Sequence, residues 1–137
     1  MRRAVCLALL AVPLIAQQPP EDPMRDALFP PELVMQHQQD LGLSDEQKNY
    51  LKTEVRQAQL RFTELQWTLQ DEMDRLVSTL KRTKVDEKDA ASQLDKVLSA
   101  EREIKRAQFT LLIHIKNNLT PAQQSKLREL ADKGKGK

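Results

Sequence analysis

The sequence predicts an all-α protein built on a long antiparallel helical hairpin, with a short helix flanking the hairpin at either end of the chain. Apolar residues recur at three- and four-residue steps from Ser44 to about Lys81 and again from Asp86 to about Asn117, which is the period of an amphipathic helix. Only 4% of the residues are aromatic and 31% are charged. That composition suits long helices lined by solvent better than a thick globular core, and no stretch has the pattern of a strand.

Each long helix carries one apolar stripe. The stripe of the first contains Leu51, Val55, Ala58, Phe62, Leu65, Leu69, Met73, Leu76 and Leu80. The stripe of the second contains Ala90, Leu94, Val97, Ile104, Ala107, Leu111, Leu112 and Ile115. The turn between them, residues 82–85, is short, and a short connection forces the second helix antiparallel to the first.

A five-residue motif, Leu-[Ser/Thr]-x-x-Gln, occurs on both sides of this hairpin. Its defining residues are Leu43, Ser44 and Gln47 in the first copy and Leu119, Thr120 and Gln123 in the second. The hydroxyl can accept from the backbone N–H three residues on, and the glutamine side chain can reach back to the N–H of the capping residue. Both copies therefore predict the start of a helix with a capping box.

The flanking helices are short. The first is predicted from Pro31 to about Asp40, since Pro31 suits a first helical position and Gly42 follows the end. The last is predicted from Thr120 to about Lys133, with Gly134 ending it and residues 134–137 forming a mobile basic tail.

The first residues predict export. A basic pair, Arg2 and Arg3, precedes an apolar run from Ala4 to Ile15, which is typical of a signal peptide and too short to cross a membrane. We place cleavage after Ala16, so the signal is residues 1–16, and we predict a disordered, proline-rich arm over residues 17–30.

Removal of the signal changes the composition of the mature chain. The formal net charge of +2 falls to 0, because the signal contains two arginines and no acidic residue, so no net basic field for nucleic acid remains. The single cysteine, Cys6, leaves with the signal, which excludes disulfides and cysteine metal sites. No membrane span is expected after cleavage.

A twin Leu-[Ser/Thr]-x-x-Gln motif around a helical hairpin, behind an export signal, resembles the Spy/CpxP family of periplasmic helical proteins. The resemblance covers residues 31–133. It implies a periplasmic location and an antiparallel, cradle-shaped homodimer whose concave face binds unfolded client proteins without ATP. It also implies an envelope-stress sensor as a possible partner. The CnrX-type heavy-metal sensors are similar to this family and supply the alternative function.

A second apolar set lies away from the two stripes. Leu60 and Trp67 project about 150° from the stripe of their own helix, and Phe109 and Ile113 stand off the stripe of the other. Antiparallel pairing predicts that the four lie roughly level with one another. We define these four residues as the outward patch and predict that they contact a second copy or an unfolded client. Scattered surface apolar residues are the alternative.

The candidate metal ligands are His37, His114 and Glu54. The CnrX resemblance implies histidine ligands on the first helix and near the end of the third. His37 and His114 lie on the corresponding predicted helices. The sensor pattern has further His or Met ligands four residues on, where this chain has Leu41 and Asn118. A stable Zn, Ni or Co site takes three or four ligands, so we predict a weak site or none. In the alternative interpretation both histidines are structural.

No catalytic residues are predicted. The sequence lacks a glycine-rich phosphate loop, an H-E-x-x-H pair and a nucleophile elbow, and its acids and bases fall on solvent-facing helix surfaces. We therefore predict a protein that is not an enzyme and has no cofactor beyond a possible divalent metal. The first hypothesis is a periplasmic chaperone or envelope-stress protein. The others are a heavy-metal sensor or resistance protein, and a structural coiled-coil module.

Overall fold

The computed structural model describes residue 24 and residues 27–136. Within these residues we number the helices α1 (Pro31–Gln36), α2 (Asp45–Leu80), α3 (Glu87–Asn117) and α4 (Pro121–Lys135). These residues contain no strand, so the all-α prediction is confirmed. The predicted signal peptide, with Cys6, and most of the predicted arm lie outside the described residues.

The two long helices form the predicted antiparallel hairpin. They pack against each other, and two side-chain pairs mark their alignment. Glu54 of α2 meets His114 of α3 at 2.7 Å, and Glu72 meets Gln93 at 2.6 Å nearer the turn. As the residue number rises along α2 it falls along α3, which fixes the register of the hairpin.

The core lies at the open end of the hairpin, opposite the turn. The short helices and their flanking segments pack over this end. The packing also stabilises α1, since a helix of six residues does not persist in water by itself. The buried cluster consists of Phe29, Val34, Leu41, Leu43, Leu51, Leu111, Ile115, Leu119 and Leu127.

The apolar stripes are buried less evenly than predicted. Met73, Leu80 and Leu94, all placed on the stripes from sequence, are exposed. In the turn half of α3, Val97 and Ala100 are buried, and the buried position nearest the turn belongs to Gln93, which is 9% exposed. Its Nε2 donates to the backbone oxygen of Glu72 at 2.8 Å as well as to the carboxylate. These two bonds use both donors of the amide nitrogen, so a polar residue can occupy the interhelical contact.

The ends of the short helices also differ from the prediction. Helix α1 stops at Gln36 rather than near Asp40, and hydrogen-bonded turns follow as far as Gly42, whose φ is +60°. Those turns bury Leu41 and Leu43. At the other end α4 continues through Gly134 to Lys135, because one glycine costs only about 1 kcal/mol in a helix.

The end of the predicted disordered arm belongs to the core. Phe29 is buried, and the guanidinium of Arg128 lies 5.6 Å from the centre of its ring. The side chain of Lys116 donates to the backbone oxygen of Ala27 at 2.9 Å. An apolar aromatic residue in this position anchors the chain before α1. None of the described helices is long and apolar enough to cross a membrane.

Candidate functional site

Both copies of the repeated motif form the predicted capping boxes. The Ser44 hydroxyl accepts from the N–H of Gln47 at 3.1 Å, and Gln47 Oε1 accepts from the N–H of Ser44 at 3.0 Å. The corresponding distances between Thr120 and Gln123 are 3.2 and 2.9 Å. The motifs therefore fix where α2 and α4 begin.

The two motifs also bind each other, which the sequence analysis did not anticipate. Gln47 Nε2 donates to Gln123 Oε1 at 2.8 Å, and Gln123 Nε2 donates to Gln47 Oε1 at 3.1 Å. Each amide also donates to a backbone oxygen, Gln47 to Asn118 at 2.8 Å and Gln123 to Leu41 at 3.3 Å. The repeat of the motif was the feature of the sequence that could have predicted this contact, since two identical helix caps on either side of a hairpin can lie next to each other.

One predicted metal ligand pair is assembled. Helices α2 and α3 place Glu54 Oε2 2.7 Å from His114 Nδ1. The Glu54 side chain is 20% exposed and that of His114 is 45% exposed, so the pair is reachable from solvent. It lies on the wall of an open groove of about 330 Å³ between the two helices, which Arg61, Glu103 and Arg106 also line.

His37 does not join this pair. It follows the last residue of α1, and its Nδ1 lies 3.1 Å from Asp40 Oδ2. Within the described part of the chain, no group of three or more His, Cys, Asp or Glu side chains is placed to hold a metal ion. The donor types of Glu54 and His114 fit Zn²⁺, Ni²⁺ and Co²⁺, but their number is half of a closed tetrahedral set.

Tyr50, one helical turn before Glu54, does not supply a third anionic donor. Desolvation raises the pKa of its phenol, and the negative charge of Glu54 raises that pKa further. The group is therefore a neutral phenol at neutral pH. Water or a second molecule must complete the coordination of any ion held by Glu54 and His114.

The outward patch is largely exposed but is not level. Leu60 and Trp67 are each 65% exposed, Phe109 is exposed and Ile113 is half-buried. The register set by the two interhelical pairs places Leu60 near Phe109. It places Trp67 about 20 Å from Ile113 along the hairpin axis. The prediction that all four residues lie level is wrong for Trp67 and Ile113, because they fall on opposite sides of the Leu60–Phe109 level.

Further exposed apolar residues lie on the turn half of the hairpin. They are Met73, Val77, Leu80, Val85, Leu94 and Leu98. Three of them, Met73, Leu80 and Leu94, belong to the predicted stripes. The one sign in the sequence that the stripe is interrupted here is the polar residue Gln93 beside Leu94.

Fold and site together define a class: a small helical-hairpin protein that presents a histidine–carboxylate pair and several exposed apolar side chains. A sequence model of the heavy-metal resistance family matches residues 4–126. The chain belongs to that family. No curated protein and no solved structure matches the chain. Membership is a coarser statement than the resemblance to Spy/CpxP proteins, which stays a prediction.

Proposed function

We propose that this protein acts in heavy-metal resistance by reversibly binding a divalent transition-metal ion at Glu54 and His114, outside the cytoplasm. The proposal is supported by membership of the heavy-metal resistance family, whose model spans residues 4–126. The single structural observation that carries it is the 2.7 Å approach of Glu54 Oε2 to His114 Nδ1 on the wall of an open groove.

The chemistry of the pair explains both binding and release. Nδ1 and Oε2 lie within hydrogen-bond distance of each other. A metal ion that binds between them displaces the proton of this contact to Nε2 or to solvent, and gains one nitrogen and one oxygen donor. Only two protein donors hold the ion, so the affinity is moderate and exchange is fast. Such a site suits a protein that responds to excess metal better than one that stores it.

A resistance assay tests this function. Bacterial cells that export the protein are grown in rising Zn²⁺, Ni²⁺ or Co²⁺, with the wild type, His114→Ala, and His37→Ala as a matched control. We expect the wild type and His37→Ala to raise the tolerated concentration of at least one metal, and His114→Ala to lose the effect. Equal protection by all three proteins contradicts metal binding at Glu54 and His114.

The second candidate function is the binding of unfolded proteins in the periplasm. The 65% exposure of both Leu60 and Trp67 favours it, because exposed large apolar side chains on a charged frame can capture apolar segments of a client.

A light-scattering assay with an aggregating client tests the second candidate. The wild-type protein should suppress scattering in the presence and in the absence of metal. Suppression that fails without metal would make client binding a consequence of metal binding. No suppression under either condition excludes the chaperone function.

A further inference from the structure

We propose that the hairpin tip, residues 77–85, docks on an anionic lipid bilayer surface. The tip comprises the last turn of α2, the connection, and the residue before the cap of α3. It presents three exposed apolar side chains, Val77, Leu80 and Val85, of which Leu80 is 53% exposed. The buried core cluster lies at the other end of the hairpin and includes none of these side chains.

Three cations accompany these apolar side chains. Lys81, Arg82 and Lys84 are exposed, and no described acidic side chain forms an ion pair with any of them. The nearest acid along the chain, Asp86, is engaged as the N-cap of α3, where its Oδ1 accepts from the N–H of Asp89 at 3.0 Å. The cations therefore remain available to an external anion.

The acids that follow the tip are placed differently. Glu87 and Asp89 lie in the first turn of α3, where the positive end of the helix dipole stabilises their charge. They lie beyond the connection, on the helix side of the cap. The end of the hairpin consequently combines cations and apolar groups, and the acids that follow it, from Asp86 on, belong to the cap and first turn of α3.

The composition and size of the tip favour a membrane surface over a protein partner. A stable protein interface uses about 20 to 30 residues on each side, and the tip offers only residues 77–85. Binding to a bilayer surface requires fewer residues. A few apolar side chains enter the headgroup boundary while lysine and arginine keep their charges at the phosphates. Each such cation near an anionic leaflet contributes a separate electrostatic gain.

The geometry allows an upright approach. Helix α2 has 36 residues, which at 1.5 Å per residue gives about 54 Å from the core end to the tip. A tip contact would hold the Glu54–His114 pair well away from the bilayer. This docking is separate from metal binding and holds whether or not Glu54 and His114 bind an ion.

Vesicle co-sedimentation tests the docking with the full mature chain. Vesicles of phosphatidylglycerol and phosphatidylcholine are compared with vesicles of phosphatidylcholine alone, at low and at high salt. The triple variant Lys81→Gln, Arg82→Gln and Lys84→Gln removes the tip cations. The matched control, Lys52→Gln, Arg56→Gln and Lys105→Gln, removes the same charge from exposed helix positions away from the tip.

We expect the wild type and the control to bind anionic vesicles alike and to dissociate at high salt. The tip variant should bind about a hundredfold more weakly, since each cation contributes about fivefold. Leu80→Gln should weaken binding, and Leu60→Gln, which alters an exposed leucine outside the tip, should not. Circular dichroism confirms that every variant keeps its helices.

Three results would overturn the proposal. The first is equal loss of binding in the tip variant and the control, which would reduce the interaction to net charge. The second is quenching of the chain's single tryptophan, Trp67, by brominated lipid. Trp67 lies about 20 Å from Leu80 along α2, so quenching would mean that the hairpin lies flat. Binding to polyglutamate through the same three cations, with no vesicle binding, would assign the tip to an acidic protein instead.

Discussion

The side-chain amides of Gln47 and Gln123 form a reciprocal hydrogen-bonded pair, with distances of 2.8 and 3.1 Å. Each Oε1 also accepts from the N–H of its own cap, Ser44 or Thr120. Those backbone donors fix the orientation of both amides, because only an oxygen can face an N–H. The repeated motif thus performs two tasks: it starts two helices and joins their starts.

Loss of one cap should destabilise the protein by a predictable amount. Thr120→Ala removes the acceptor for the N–H of Gln123 and should cost about 1 kcal/mol of unfolding free energy. Urea melts measure the change. Thr53→Ala, at an exposed position inside α2, is the matched control and should be neutral or slightly stabilising. If Thr120→Ala and Gln123→Ala were both neutral, the motifs would have no capping role.

The amide pair should be energetically coupled. Gln123→Glu keeps an oxygen for the N–H of Thr120 but removes the donor to Gln47 and to the backbone of Leu41. We expect a loss of about 1–3 kcal/mol, because acceptors then face acceptors in a partly buried place. Gln108→Glu, on the exposed side of α3, is the control. Additive effects of Gln47→Ala and Gln123→Ala in a double-mutant cycle would show that the pair carries no coupling.

The exposed tryptophan should serve binding rather than folding. Trp67→Asp should leave the helical circular dichroism spectrum nearly intact, since the side chain is 65% exposed. It should weaken either self-association or suppression of client aggregation, because an exposed tryptophan is a strong candidate for a binding hot spot. Sedimentation and light scattering measure the two activities. If both were unchanged, Trp67 would be an ordinary surface residue.

The sequence was sufficient for the starts of the helices and for the antiparallel hairpin, and not for the side-chain contacts between the helices. Ser44 and Thr120 cap their helices through local hydrogen bonds, so the sequence predicts the first residues of α2 and α4 to within one position. Gln93 shows the limit. Its burial depends on two bonds to Glu72 across the hairpin, and no pattern along one helix records such a contact.

The candidate site was predictable in part for the same reason. His114 and Glu54 could be proposed as ligands by residue type and helix, but their 2.7 Å approach depends on the register of the hairpin. His37 was grouped with them, and local turns after α1 place it against Asp40 instead. Phe29 was missed because its burial depends on α4, which begins about ninety residues later along the chain.

Calorimetric titration of the mature protein with Ni²⁺, Zn²⁺ and Co²⁺ tests metal binding at Glu54 and His114 most directly. We predict one ion per chain for at least one of these metals, with a micromolar rather than nanomolar dissociation constant, and weaker binding at mildly acidic pH because protons compete for the same donors. His114→Ala should abolish the heat of binding, Glu54→Gln should weaken it at least tenfold, and His37→Ala should leave it unchanged. The absence of binding by the wild type, or a nanomolar complex lost in both His37→Ala and His114→Ala, would contradict this account.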